Sequence, residues 1–246
     1  MVLNCLGSGS KGNCYILEAS DGEVLVIEAG IAIAEIKRAL KWQLRRVAGC
    51  LISHQHKDHA KYLKDVLSSG INTYALADVF NSQTLSNRVF CKEILPKHGY
   101  KVGTFKVFTL DVRHDVPCLG FIIEHEEMGK LLFITDTMMI TYRIAKLNHI
   151  MIECNYSDEI LLDNIRNGIV PESMKDRLLH SHMEIETTKE VLRANDLSAV
   201  NEVVLLHLSD NNSNEDDFRQ SVLKVAGKPV YCAKSGLSIN LNKEPY

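Results

Sequence analysis

Four side chains that commonly bind metal ions lie within the short segment SHQHKDH. They are His54, His56, Asp58 and His59, and they follow an apolar run that is typical of a strand. Imidazole nitrogens and carboxylate oxygens are ligands for Zn²⁺, Mn²⁺ and Fe²⁺. A lone histidine is more often structural, but this density of ligands predicts a metal site. One ion held by three histidines would leave Asp58 unused, whereas two ions would use all four side chains.

Three further candidate ligands stand where predicted strands end. His114 ends FKVFTLDVRH, Asp136 ends KLLFITD, and His207 lies near the end of VVLLHLS. Active residues of layered folds gather where strands end and loops begin, so position alone selects these three side chains. We interpret as structural those histidines that lack such a placement, namely His98, His125 and His149.

The elements that must position these residues alternate along the chain between strands and helices. Short apolar runs such as CYILEA, VLVIEA and RVAGCLISH predict strands, and GSGSKGN and SDGE predict turns. Helical spacing of apolar residues occurs in IAEIKRALKW and HAKYLKDVLSSG, and around residues 158–167, 185–194 and 214–226. Sheets with helices on their outer faces would bury these patterns. Because there is no linker or low-complexity segment, we predict a single α/β domain over residues 1–246.

The composition is that of a globular protein, with 46% hydrophobic residues and a net charge of -3. That charge argues against a surface made for non-specific nucleic-acid binding. It does not exclude a nucleic-acid substrate, because bound divalent metals would add local positive charge. Seven scattered cysteines without a Cys-x-x-Cys pattern favour a reducing compartment. No apolar run has the length of a membrane span and no signal-peptide pattern occurs, so we predict a cytoplasmic protein with no membrane partner.

The order of these motifs resembles the metallo-β-lactamase fold superfamily over nearly the whole chain. SHQHKDH is similar to its His-x-His-x-Asp-His motif, and His114, Asp136 and His207 resemble its later ligands in the same order. Within the superfamily the chain is most similar to the YycJ/WalJ/VicX subgroup, which is related to the tRNase Z-type phosphodiesterases. The matching segments are GSGSKGNCYIL, RHDVPCLGFII, LLFITDT, IECNY, SHME and LLHLSDNN.

The resemblance implies a four-layer αββα sandwich with a two-metal site at one edge. Zn²⁺ or Mn²⁺ would be the ions, and a nucleic acid, DNA or RNA, would be the substrate. The implied ligands are His54, His56 and His114 for one ion, Asp58, His59 and His207 for the other, and Asp136 as the bridge between them.

Three positions depart from the pattern of the superfamily. Glu28 in LVIEAG replaces the usual Asp, which supports the metal ligands from behind and so governs metal affinity. Glu184 follows SHM where a Ser is usual, which predicts a weaker helix cap. Ile152 precedes Glu153 where the tRNase Z-type motif has His.

We predict hydrolysis of a phosphodiester by a hydroxide that bridges two metal ions. Asp58 would hold the second ion and orient the nucleophile, and His182 would act as an acid or hydrogen-bond donor. His180 lies two residues away, and the choice between the two histidines rests on the resemblance. Lys11 in GSGSKGN and the basic helix KRALKWQLRR are candidate phosphate contacts, although a plain turn and a solvated helix explain them as well.

Two other functions are compatible with the same residues. One is a hydrolase of the same fold that acts on a thioester, a lactam or a small cyclic phosphodiester. The other is a regulatory protein that binds metal without turnover, for which Glu28 is the supporting feature.

Overall fold

The computed structural model describes residues 1–244, which form fourteen strands and eight α-helices. The strands are β1 (Val2–Gly7), β2 (Cys14–Glu18), β3 (Val24–Ile27), β4 (Val47–Leu51), β5 (Thr73–Ala75), β6 (Cys91–Glu93), β7 (Gly99–Val102), β8 (Phe105–Val112), β9 (Cys118–His125), β10 (Gly129–Ile134), β11 (His149–Glu153), β12 (Glu202–Leu206), β13 (Val230–Cys232) and β14 (Ser238–Asn240). The helices are α1 (Ile33–Ala39), α2 (Lys57–Ala60), α3 (Leu63–Ser68), α4 (Ala77–Asn81), α5 (Asp158–Arg166), α6 (Ser173–Ser181), α7 (Ile185–Ala194) and α8 (Glu215–Ala226).

The strands form two seven-stranded mixed sheets. Their orders are β14-β1-β2-β3-β4-β5-β6 and β13-β12-β11-β10-β9-β8-β7. In the first sheet β3 to β6 run parallel, and in the second β10 to β13 run parallel. The remaining neighbours pair antiparallel. Each sheet therefore contains a parallel half, whose strands end at one common edge.

Alternating side chains of the second sheet belong to two different cores. In β10, Leu131 and Phe133 join the core that also contains the first sheet, whereas Leu132 and Ile134 join the core beneath α7 and α8. This is the two-residue period of a strand that is buried on both faces. The ring of Tyr15 in the first sheet meets the Phe133 ring edge-on, with ring centroids 5.5 Å apart.

Helices cover the outer faces of the two sheets. Ile36 of α1 and Leu63 of α3 pack with the first sheet, and Leu192 of α7 and Phe218 of α8 pack with the second. The layers are therefore helix, sheet, sheet and helix, which confirms the predicted αββα sandwich. Within residues 1–244, no helix has the length and apolar character required to cross a membrane.

The helix predicted in HAKYLKDVLSSG is divided in the structure. The Asp58 carbonyl oxygen, which would accept the Tyr62 N–H in a continuous helix, instead accepts the Asn13 N–H at 2.7 Å. The Tyr62 N–H donates to the Ala29 carbonyl oxygen at 2.9 Å. Backbone contacts to other loops therefore end α2 after one turn, and α3 begins three residues later.

The helices predicted around residues 158–167, 185–194 and 214–226 are confirmed as α5, α7 and α8. Glu184 does cap α7, since its carboxylate accepts the Glu186 N–H. The strand predicted in RVAGCLISH is shorter than expected, because β4 ends at Leu51 and leaves the histidines in a loop. Helices α4 and α6 and the short strands β5, β6, β7 and β14 were not predicted.

Candidate metal centre

All seven predicted ligands lie at one edge of the sandwich. On the side of the first sheet, the loop after β4 and the start of α2 provide four of these residues. The second sheet contributes the residues that follow β8, β10 and β12, whose carboxyl ends reach the same edge. The ligands are His54 and His56 from the loop, Asp58 and His59 from α2, and His114, Asp136 and His207 from the strand ends.

The seven side chains form two adjacent groups. Ligand atoms of His54, His56 and His114 lie within 4.8 Å of one another. Those of Asp58, His59, Asp136 and His207 satisfy the same limit. Asp136 lies in the second group, and it also belongs to a third group with Glu153, His182 and His207.

One nitrogen at the centre of the first group is buried without a hydrogen-bond partner among the described residues. It is Nε2 of His54, whose Nδ1 is held by the Ser53 hydroxyl at 2.9 Å. An unpaired buried nitrogen is costly, and a cation would satisfy it. Burial also lowers the pKa of His54 and of His114, so both imidazoles are neutral near pH 7, which is the form that binds metal.

The second group concentrates buried charge of both signs. Burial alone would raise the pKa of Asp136, but the imidazoles of His207 and His59 outweigh it and hold this pKa well below its usual value. Burial alone would lower the pKa of His207, but the Asp136 and Asp58 carboxylates raise it to about 10. The buried Asp136 carboxylate and the neighbouring Asp58 carboxylate are thus stabilised by positive charge next to them. The donor set therefore fits divalent metal ions.

Other side chains and carbonyl groups fix the orientation of the ligand rings. His114 Nδ1 lies 2.7 Å from the Ser181 carbonyl oxygen, which leaves Nε2 to face the cluster. The Asn155 amide nitrogen lies 3.0 Å from Nδ1 of His207 and donates to its carbonyl oxygen at 2.7 Å. Such outer contacts set the tautomer and angle of a ligating imidazole.

Glu28 lies behind the ligands in the first sheet's loop, as the sequence predicts. It is fully buried, and its φ of 68° is in the left-handed region that costs a non-glycine residue energy. Both carboxylate oxygens are 3.3 Å from the Ser53 backbone nitrogen, and one is 3.6 Å from Nδ1 of His59. Glu28 therefore supports the site through the backbone that precedes His54, and lies near His59 without hydrogen-bonding it.

His180 and His182, the two candidates for the catalytic histidine, have different surroundings in the structure. His182 Nδ1 is 2.6 Å from Oε1 of Glu153, and its ring stacks on His207 with centroids 5.3 Å apart. His180 is exposed and contacts the Asp176 carbonyl oxygen of its own helix at 2.7 Å. His182 lies at the end of α6 and does not open the next helix. His98, His125 and His149 lie outside both ligand groups.

A family model described as the beta-lactamase superfamily domain matches residues 24–208. The chain belongs to this superfamily. An exodeoxyribonuclease YycJ of Bacillus anthracis is 29% identical, with the match covering 89% of this chain and 87% of that protein. An exodeoxyribonuclease WalJ of Streptococcus pneumoniae is 26% identical, covering 85% and 81%. The resemblance to this superfamily and to its YycJ/WalJ subgroup is thereby confirmed.

Solved structures of the superfamily share the fold at lower identity. The Zn²⁺-bound PqqB of Methylobacterium extorquens has a TM-score of 0.74 and 18% identity, and covers 98% of this chain and all of its own. Others with this fold include a tRNase Z, a diphosphatase and a hydroxylase, so the fold alone does not determine the reaction. Taken with the exodeoxyribonuclease relatives, these comparisons support a metal-dependent hydrolase.

The sequence did not identify two acidic residues, Glu153 and Asp115, as part of the site. Glu153 is buried at the end of β11 and accepts the N–H groups of Thr137 at 2.9 Å and Met183 at 3.1 Å, besides contacting His182. Asp115 places Oδ1 3.1 Å from Nε2 of His114. Glu153 could have been found in the sequence because it stands where a strand ends, as the candidate ligands do. Asp115 could have been found because it directly follows His114.

The turn GSGSKGN is built into the site through Asn13. The amide nitrogen of this buried side chain lies 3.0 Å from Nε2 of His59 and 3.3 Å from the Asp58 carbonyl oxygen. Gly30 permits the close approach, because a Cβ there would lie 1.7 Å from that same carbonyl oxygen. At the rim, Lys11 and Asp210 form an exposed ion pair at 2.9 Å.

Proposed function

We propose that the chain is a two-metal phosphodiester hydrolase and that its substrate is DNA. The observation that carries this proposal is the pair of adjacent ligand groups, with His182 and Glu153 packed against Asp136 and His207. The exodeoxyribonuclease relatives favour DNA over RNA and favour cleavage from a free end.

The residues that would hold the metal ions are those named from the sequence. One ion would be held by His54, His56 and His114, the other by Asp58, His59 and His207, with Asp136 shared. When bound, Zn²⁺ or Mn²⁺ ions supply an activated water and neutralise charge that develops on phosphoryl oxygens.

Asp58 supplies an acceptor that stays ionised. Burial alone would raise its pKa, but hydrogen bonds from His207 and His59 lower it well below its usual value. The carboxylate is partly accessible, so it can accept a hydrogen bond from an attacking water and orient it towards phosphorus.

His182, whose ring stacks on His207, supplies a donor beside the second group. Burial alone would lower its pKa, but the Glu153 carboxylate raises it. The protonated ring can therefore donate to the leaving oxygen, while Glu153 fixes its orientation from behind. Glu153 is a positioning residue, because it hydrogen-bonds Nδ1 at the edge of the ring and is fully buried.

We place the protein in the cytoplasm, with nucleic acid as its partner. The support is the set of seven free cysteines in the described structure, six of which are buried.

The test compares cleavage by metal-loaded protein of end-labelled single- and double-stranded DNA, RNA, bis-p-nitrophenyl phosphate and a thioester. We expect DNA cleavage that is lost in Asp58→Ala and kept in Asp78→Ala, an exposed aspartate outside the site. His182→Asn should lower kcat at least a hundredfold, whereas His180→Asn makes the same chemical change on an exposed histidine and should not. Hydrolysis of the thioester without cleavage of any nucleic acid would contradict the proposal.

A further inference from the structure

Two cavities follow one another between the α2–α3 segment and residues 82–87. The first has a volume of ≈ 490 Å³, and Lys57 and Lys61 form one wall with Gln83 opposite. The second has a volume of ≈ 420 Å³, with Lys64 on the same side and Thr84 opposite. Residues 83 and 84 are consecutive, so the two cavities adjoin and together form one groove, which the Gln83 side chain crosses where its amide donates to the Ala60 carbonyl oxygen at 2.7 Å. We call it the Lys57–Lys64 groove.

The Lys57–Lys64 groove begins at the candidate metal centre. His56, one of the histidines in the first ligand group, lines its first cavity beside Lys57. The groove therefore leads away from the place where a phosphodiester would be cleaved.

The charge of this groove differs from that of the molecule as a whole. Lys57, Lys61 and Lys64 are exposed, and within residues 1–244 none of them lies within salt-bridge distance of a carboxylate. Neither cavity of the groove is lined by Asp or Glu, whereas each of three other cavities in the described structure has at least one. In a chain of net charge -3, this is a local positive surface that suits an anionic ligand.

The remaining walls suit the other parts of a nucleotide. Thr84 offers a hydroxyl group, and the Gln83 amide, which donates one hydrogen to the Ala60 carbonyl oxygen, has a second hydrogen for a phosphate or sugar oxygen. At the far end, Phe90 lines the second cavity and is only half-buried. An accessible aromatic ring beside a basic groove is the arrangement on which an unpaired base stacks.

We infer that the Lys57–Lys64 groove holds the single-stranded DNA that flanks the scissile phosphate, with phosphates on the lysines and a base on Phe90. This inference rests on the nuclease function proposed above. In this arrangement the DNA strand runs from the metal centre past His56, along α2 and α3, to Phe90. The affinity of a substrate should consequently increase with the number of nucleotides that reach into the groove.

The test measures binding of a fluorescent phosphorothioate oligodeoxythymidine of about 12 nucleotides, which keeps its charge and resists cleavage. Each lysine–phosphate contact to a single strand adds about 0.7 to the slope of log K against log salt concentration. We expect Lys61→Ala/Lys64→Ala to reduce this slope by about 1.4. Phe90→Leu should weaken binding and leave the slope unchanged, because it removes stacking and no charge.

The matched control is Lys41→Ala/Arg45→Ala. Both residues are exposed and precede β4, so they lie at the opposite edge of the first sheet from the metal centre. This control variant should keep the slope of the unmodified protein. An equal loss of slope in the control, or no loss in Lys61→Ala/Lys64→Ala, would overturn the inference.

Cleavage assays separate this inference from the function on which it rests. If Lys61→Ala/Lys64→Ala loses salt-dependent binding but the unmodified protein cleaves no nucleic acid, the proposed function fails and the groove remains a DNA-binding surface. If DNA is cleaved and Lys61→Ala/Lys64→Ala binds with an unchanged slope, only the inference about the groove fails.

Discussion

Glu28 is one of the residues at which this chain departs from the pattern of its superfamily, and the structure indicates how the longer side chain is accommodated. The carboxylate reaches the Ser53 N–H, and the Ser53 hydroxyl in turn holds Nδ1 of His54. These contacts leave Nε2 of His54 free to face the ligand group. The extra methylene is therefore absorbed by support through the backbone, and the ligands are kept in one group.

A substitution at Glu28 tests this support. Glu28→Gln keeps the size of the side chain but removes the charge that faces Ser53 and His59, so we expect a 10- to 100-fold loss of metal affinity. Zinc titration against a chromophoric chelator measures that affinity. Glu190→Gln makes the same change on the exposed surface of α7 and serves as the control. Equal affinities in the two variants would mean that Glu28 does not support the site.

At the scale of elements, the loop that contains Glu28 is joined to α2 by short backbone contacts. Ala29 N–H donates to the His59 carbonyl oxygen at 2.7 Å, and Tyr62 N–H donates to the Ala29 carbonyl oxygen at 2.9 Å. These contacts divide the helix predicted in HAKYLKDVLSSG, and they aim Asp58 and His59 at the second ligand group. No pattern in the local sequence specifies them, because they depend on how a distant loop packs.

Gly30 is the position where this packing is most sensitive to volume. Gly30→Ala would place a methyl group 1.7 Å from the Asp58 carbonyl oxygen, so α2 must move away from the loop. We expect a loss of roughly 2–3 kcal/mol in the free energy of unfolding, measured by urea denaturation, together with weaker metal binding. Gly99→Ala is the control, since a Cβ there meets nothing within 4 Å. If Gly30→Ala and Gly99→Ala had equal free energies of unfolding, the loop and α2 could separate without loss of stability.

At the scale of the whole molecule, the fold and the clustering of the candidate ligands at one edge could be predicted from the sequence because both depend on local signals. Buried strands carry apolar runs, and His114, Asp136 and His207 each stand where such a run ends. Glu153 also stands at the end of such a run, but Asp115 and Asn13 do not. Their roles arise from loop paths that bring together residues distant in the sequence, such as Asn13 and His59.

We propose that residues 1–246 form one domain, as the sequence predicts. The pairing of β14 with β1, which places Asn240 opposite Val2, supports this organisation. So does the metal centre, because its ligands come from both sheets and from segments as distant as His54 and His207. Because the two sheets share this centre, we expect the chain to unfold in a single transition.

Metal ions that bind ligands from both sheets should contribute to the stability of the whole domain. A ligand at 1,000 times its Kd stabilises the folded state by about 4 kcal/mol. For a domain of this size, that raises Tm by roughly 8–16 °C. Calorimetry with excess Zn²⁺ and with chelator should show this difference in a single transition. The difference should nearly vanish in Asp136→Asn and persist in Asp78→Asn. A second transition that alone responds to metal would indicate that the two sheets unfold separately, because only ions shared between the sheets couple their unfolding.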